Sequence, residues 1–193
     1  MSNRRNFIKK SALGTLGVSS ILSCDELNNV NIKKTYPRII STWNHGLEAN
    51  QKAWEVLKNG EGGLSAVEKG VKVSEADPKI RSVGYGGYPD RDGIVTLDAC
   101  IMDKNSNCGS VSFLQNIKHP ISVARHVMED TPHVMLSGKG ALDFAVSKGF
   151  NQEDLLTGES RKDWLKWKEN SNYKPVINIE NHDTIGMLAV DKN

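Results

Sequence analysis

Scarcities narrow this sequence before its motifs do. Cysteine occurs only 3 times in 193 residues, and no Cys/His spacing suggests a metal site. Six prolines and 17 glycines follow no fixed period, which excludes collagen, and no heptad seam runs through the chain to make a coiled coil. An excess of charge is missing too. The formal net charge is +2, but residues 1–23 hold Arg4, Arg5, Lys9 and Lys10 and no acid, so the remainder carries about −2. That leaves no basic field to hold phosphate backbones and excludes nucleic acid as a partner. What remains is ordinary globular composition, 38% apolar and 25% charged. The chain is long enough for one domain with a sizeable core.

Long hydrophobic runs are also absent. The longest, Ser11–Leu22, spans 12 residues, roughly 18 Å as a helix against about 30 Å of bilayer core. With its basic lead it reads as a cleaved export signal over residues 1–23, not a membrane span. Asn3-Arg4-Arg5-Asn6-Phe7-Ile8-Lys9 resembles a twin-arginine signal, which would send a folded protein across a bacterial inner membrane to the periplasm. The alternative is a general secretory signal with two coincidental arginines. Ile21-Leu22-Ser23-Cys24 resembles a lipoprotein cleavage box. Lipidation at Cys24 would be the protein's one tie to a membrane, although Leu22 is not the favoured small residue there.

Residues 24–37 are polar and read as a linker. Arg38–Trp43 is a β-branched run that reads as a buried strand. Leu47–Leu57 places Leu47, Trp54 and Leu57 near one helical face. Leu64–Glu75 places Leu64, Val67 and Val71 together, and ends before Asp77-Pro78 as a helix must. The glycine-rich stretch 84–93 is a loop without the features of a phosphate-binding loop. Residues 93–102 and 108–114 flank Asp103–Asn107 as a hairpin, across which Cys100 and Cys108 either pair or stay as buried thiols. Helices are predicted over 121–128, 141–148 and 153–170, and a short strand over Thr131–Leu136. Residues 171–181 read as an extended connection.

One local echo stands out. Thr96-Leu97-Asp98-Ala99-Cys100-Ile101-Met102-Asp103-Lys104-Asn105 and Thr184-Ile185-Gly186-Met187-Leu188-Ala189-Val190-Asp191-Lys192-Asn193 both start with Thr, run through apolar residues and reach Asp-Lys-Asn. A return strand follows the first copy, whereas the second meets the end of the sequence as a strand without a partner. On that pattern the sequence is the N-terminal portion of something longer.

The segment ahead of the second copy carries the chemistry. His182-Asp183-Thr184-Ile185-Gly186-Met187 is identical to the autocleavage motif of the glycosylasparaginase (aspartylglucosaminidase) family of N-terminal-nucleophile hydrolases. The resemblance extends in one order over residues 38–190. It runs through Ser41-Thr42-Trp43-Asn44, Asp77-Pro78, residues 81–87 and 89–93, Leu97–Asp103 and Thr131–Leu136. Two departures, His45 in place of an aromatic and Tyr88 where some relatives carry Arg, fall near the family's pocket and touch sugar recognition.

The resemblance implies an α/β fold, an αββα sandwich of two mostly antiparallel sheets between helices. Residues 38–183 would be the α-subunit part of one domain, residues 184–193 the start of the β subunit, and the oligomer a homodimer of αβ units. A Thr hydroxyl is a weak nucleophile until a base takes its proton. A free α-amino group, with a pKa of about 7.7–8.0, suits that task near neutral pH. In the family the precursor therefore cuts itself between Asp183 and Thr184, and freed Thr184 attacks the side-chain amide of a glycosyl-asparagine. Trp43 would line the substrate pocket and Ser82 would touch substrate. No cofactor and no metal enter. The family's Arg and Asp that hold the substrate's aspartyl group, and its oxyanion donors, match positions beyond Asn193, so the 193-residue chain alone is expected to be inactive. Two other readings remain: a β-aspartyl peptidase or L-asparaginase of the same fold, in which Gly usually precedes the nucleophile where Asp183 stands here, and a non-catalytic envelope lipoprotein.

Overall fold

Backbone hydrogen bonds in the computed structural model join residues far apart in sequence into two sheets, flanked by helices. The structure describes residues 36–171 and 184–192; the export signal, Cys24 and Asp183 lie outside them. In chain order the elements are β1 (Arg38–Ser41), α1 (Gly46–Lys58), α2 (Gly63–Ala76), β2 (Leu97–Met102), β3 (Cys108–Leu114), α3 (Pro120–Asp130), β4 (Met135–Ser137), α4 (Gly138–Ser147), α5 (Gly158–Asn170) and β5 (Met187–Val190). The predicted α/β class holds.

β2 and β3 form the predicted hairpin, antiparallel with Met102 opposite Cys108 and Leu97 opposite Leu114, and β4 joins parallel to β3. The ladder shifts between Leu97 and Ala99. Asp98 repairs the break by accepting the Phe113 N–H at 2.8 Å, at a residue whose φ of 52° lies in the left-handed region. α3 covers this sheet: Val111, Leu114, Ile117, Val123, Ala124 and Val127 are almost wholly buried together, with Ala141 and Ala145 of α4. Burying each large aliphatic side chain contributes about 1.5–3 kcal/mol before entropy is counted.

The other sheet is smaller. β1 pairs antiparallel with β5, Arg38 opposite Val190 and Ser41 opposite Met187. This corrects the expectation that the last strand would stand alone. Its inner face, Ile39, Met187 and Ala189, packs on α1 and α2, while Ile40, Leu188 and Val190 on the outer face are exposed. The pleat therefore separates a packed row from an open one along the same strands.

Several boundaries move for identifiable reasons. α1 does not bury Leu47 and Trp54 as the spacing suggested, since they are 71% and 38% exposed. Its buried face is Ala49, Ala53, Val56 and Leu57, because α1 and α2 pack too closely for larger groups. At Gly70 of α2 a Cβ would lie 2.8 Å from both the Ala49 carbonyl and the Met187 sulfur. β1 stops at Ser41, because Trp43 turns to a φ of 62°. β4 starts at Met135 and not at Thr131, because the Thr131 hydroxyl is spent on ending α3: it donates to the Val127 carbonyl at 2.8 Å and accepts the His133 N–H at 3.1 Å. α5 starts at Gly158, where Thr157 caps it by accepting the Ser160 N–H at 3.2 Å. Cys100 and Cys108 fit neither alternative: both thiols are free, Cys100 is exposed and Cys108 half-buried, and the ladder sets Cys100 against Ser110 instead.

Candidate active site

Thr184 is exposed and leads into β5. Two residues on, Gly186 is tied reciprocally to Thr42: the Gly186 N–H donates to Thr42 Oγ1 at 2.9 Å, and the Thr42 N–H donates to the Gly186 carbonyl at 3.0 Å. The head of β5 is thus fixed against the tail of β1. Trp43 follows directly, 42% exposed, in its left-handed conformation. A bulky residue seldom adopts that conformation unless its surroundings impose it, and such residues cluster at functional sites. Trp43 and Thr184, predicted as pocket wall and nucleophile, therefore stand at one end of one sheet.

α2 runs beside β5 in the opposite direction. Its Gly63 N–H is held by the Asp191 carboxylate at 2.8 Å, and Gly70 faces Met187. A further turn of α2 beyond Gly70 reaches Ser74 and Glu75. This last turn binds its neighbours three ways. Ser74 Oγ hydrogen-bonds His45 Nδ1 at 3.2 Å. The Glu75 carbonyl accepts the Tyr85 N–H at 2.7 Å. The Glu75 carboxylate accepts the Ile121 N–H at the start of α3 and meets His119 Nδ1, both at 3.1 Å.

Ser82 is half-buried on the loop that rests on this turn. Gly84, with a φ of 59°, lies so close to the Glu75 backbone that a Cβ there would collide with it. The far side of the loop is clamped to α5. Arg81 donates to Ser160 Oγ at 2.8 Å and to Glu159 at 3.0 Å, and buried Ser160 donates to the Gly86 carbonyl. The structure thus brings the Trp43 segment and the Ser82 loop to the same end of α2. Asp183 is outside the described residues.

Charge at this end is unusual. Burial pushes the Glu75 carboxyl above the ordinary carboxylate range, against the bonds from His119 and Ile121 that pull it down. Burial also pulls the His45 imidazole below its ordinary value. Neither Ser74 nor Glu75 was picked out from sequence. The signal was there: Glu75 lies four residues after buried Val71 on the core phase of α2, where a carboxylate is rare unless it is paired. Concavities of about 260 Å³ near Gln115 and about 340 Å³ near His119 include none of Trp43, Ser82 and Thr184 in their walls. Among the described residues no group of His, Cys, Asp and Glu is arranged to hold a metal, and no helix is long and apolar enough to cross a membrane.

Comparison with known proteins shows the family of the chain. Residues 31–193 match the model of the Asparaginase_2 family, described as asparaginase. The chain belongs to that family. Within it, an N(4)-(β-N-acetylglucosaminyl)-L-asparaginase of Elizabethkingia miricola is 58% identical over 193 residues, covering 98% of this chain and 57% of that protein. The rat protein of the same name is 37% identical over 187 residues, covering 81% of this asparaginase-family chain and 54% of the relative. The chain spans about half the length of the curated relatives it matches.

Proposed function

We propose that this asparaginase-family chain carries the nucleophile of an amidohydrolase that breaks the β-amide bond between N-acetylglucosamine and asparagine. The observation that carries the reading is Thr184. It stands in an intact His-Asp-Thr-Ile-Gly-Met run, exposed at the head of a strand that reciprocal hydrogen bonds hold beside Trp43. The similarity to relatives named for this activity supports it.

The chemistry runs in two stages. In the first, Thr184 Oγ attacks the Asp183 carbonyl carbon, the acyl group passes from nitrogen to oxygen, and water hydrolyses the ester. One chain then ends at Asp183 and another begins at Thr184. In the second, the new α-amino group takes the proton from Thr184 Oγ as the oxygen attacks the substrate's side-chain amide carbon. The amino-sugar leaves with that proton and later sheds ammonia, and water releases aspartate from the β-aspartyl ester. Trp43 supplies a wall for the substrate and Ser82 a polar contact. The two chains stay together as one αββα sandwich, and two such αβ units make the oligomer.

Mass spectrometry and N-terminal sequencing of the protein expressed from its complete reading frame test the scheme. A new chain beginning at Thr184 supports it; an active enzyme that stays one chain refutes it. Asp183 before the nucleophile favours this reading over a β-aspartyl peptidase, and hydrolysis of β-aspartyl dipeptides in preference to glycosyl-asparagine would reverse that choice. Export by the Arg4-Arg5 signal would put this work in the periplasm. Arg4→Lys with Arg5→Lys is expected to leave precursor in the cytoplasm, and unchanged export of the double variant would remove the twin-arginine assignment.

A further inference from the structure

We propose that the last turn of α2, through Ser74 and Glu75, is the positioning element that sets the Trp43 segment and the Ser82 loop about Thr184. The inference rests on the reading of Thr184 as nucleophile and of Trp43 and Ser82 as substrate contacts. Those contacts come from segments about 40 residues apart, and neither belongs to the strand that bears Thr184. Their common support is two consecutive buried polar residues, Ser74 at 0% and Glu75 at 3% exposure.

Each group in this turn holds a different piece. Ser74 Oγ, at 3.2 Å from His45 Nδ1, anchors the turn that leaves β1, two residues past Trp43. The Glu75 carbonyl, taking the Tyr85 N–H at 2.7 Å, anchors the loop three residues past Ser82. The Glu75 side chain locks that junction to the body of the fold, because its two oxygens take the Ile121 N–H and meet His119. α3, whose N-terminus it grips, is the helix packed over the central sheet. The turn therefore ties two segments, a strand end and a glycine-rich loop, to the buried core of the described residues. A displacement of about 1 Å at such a support is enough to cost a large factor in substrate use.

The test uses the protein expressed from its complete reading frame, with steady-state kinetics on glycosyl-asparagine and thermal melting in parallel. Ser74→Ala removes the His45 bond with almost no change in volume. It is expected to raise KM about tenfold, leave kcat within about twofold, and leave cutting before Thr184 complete, because the segment that follows Thr184 is held through Gly186 by Thr42 instead. Glu75→Ala is expected to raise KM further, and Glu75→Gln, whose one oxygen still accepts the Ile121 N–H while its amide nitrogen can donate to a neutral His119 Nδ1, to recover most of the loss. An unchanged KM in folded Ser74→Ala overturns the proposal. So does a Glu75 pair whose melting temperatures fall while KM stays put, the mark of a purely structural carboxylate. If the parent protein is cut and folded but hydrolyses no glycosyl-asparagine, the proposed function fails and takes this inference with it; an active parent with unmoved variants sinks the inference alone.

Discussion

Two stretches of this chain echo each other in sequence and are opposites in use. Thr96–Asn105 and Thr184–Asn193 share a leading Thr, an apolar run and Asp-Lys-Asn. In the first, Asp103 serves its own neighbourhood: its carboxylate accepts the N–H groups of Asn105 at 2.8 Å and Asn107 at 2.9 Å, and so makes the hairpin turn. In the second, Asp191 reaches 128 residues back to the Gly63 N–H, at the start of α2. One carboxylate builds a turn and the other caps a helix, two uses of the same short acceptor. The leading threonines diverge as well. Thr96 is half-buried inside the fold, whereas Thr184 is exposed beside Trp43. A strand pattern is local information; the job of its ends is decided by whatever the rest of the chain brings alongside.

The sharpest way to break the symmetry is at the threonines. Thr184→Ala is expected to abolish both self-cutting and hydrolysis, a loss on the order of a thousandfold or more. Thr184→Ser keeps the hydroxyl but loses the methyl that stiffens χ1, and should retain partial activity. Thr96→Ala should be cut and active like the parent. The strands come next. Leu97, in the first copy, buried and opposite Leu114, should cost about 2–5 kcal/mol when changed to Ala. Leu188, in the second copy and 70% exposed, should cost about 0.5 kcal/mol or less. Denaturant melts of both variants decide whether the two copies differ as much in burial as the structure has it.

The aspartates give the smallest effects. Asp191→Ala removes a cap and is expected to cost about 1 kcal/mol. Asp103 should reveal itself through pH. The Asn107 side chain, with the Asn107 and Asn105 N–H groups, holds its carboxyl below the usual range against an opposing effect of desolvation. A carboxyl whose pKa is lowered by folding stabilises the fold above its unfolded value, about 3.9, and that stability is lost as pH falls through the folded value. The stability gap between the parent and Asp103→Asn should therefore be present at neutral pH and close in acid. A gap that persists below the folded value would show that the charge plays no part in the turn.

Much of the fold was readable because local chemistry and tertiary need coincide. Asp77-Pro78 had to end α2, and the turn residues 103–107 had to reverse the chain between two apolar runs. Thr184 and Trp43 stood out as candidates through an intact motif and an ordered set of resembling blocks. Leu47 and Trp54 misled because helical spacing shows an apolar stripe but not the distance of the neighbouring helix, which Gly70 and Ala49 set. The last strand misled because its partner lies at the other end of the chain, and pairing at that range leaves no local trace. Ser74 and Glu75 were missed for the same reason, since their partners His45, Tyr85 and His119 are scattered in sequence.

The bond between Thr42 and Gly186 spans 144 residues, and that span is also an interval of time. A ribosome adding about 5–20 residues per second needs roughly 7 to 30 s to cover it. Before that wait ends β1 has emerged and β5 does not yet exist, while the hairpin of β2 and β3 and the helix above it are already complete in sequence. The smaller sheet is therefore the last part of the described fold that can close. Chemistry that needs the head of β5 held against Thr42 is barred by the order of synthesis until Gly186 has been made.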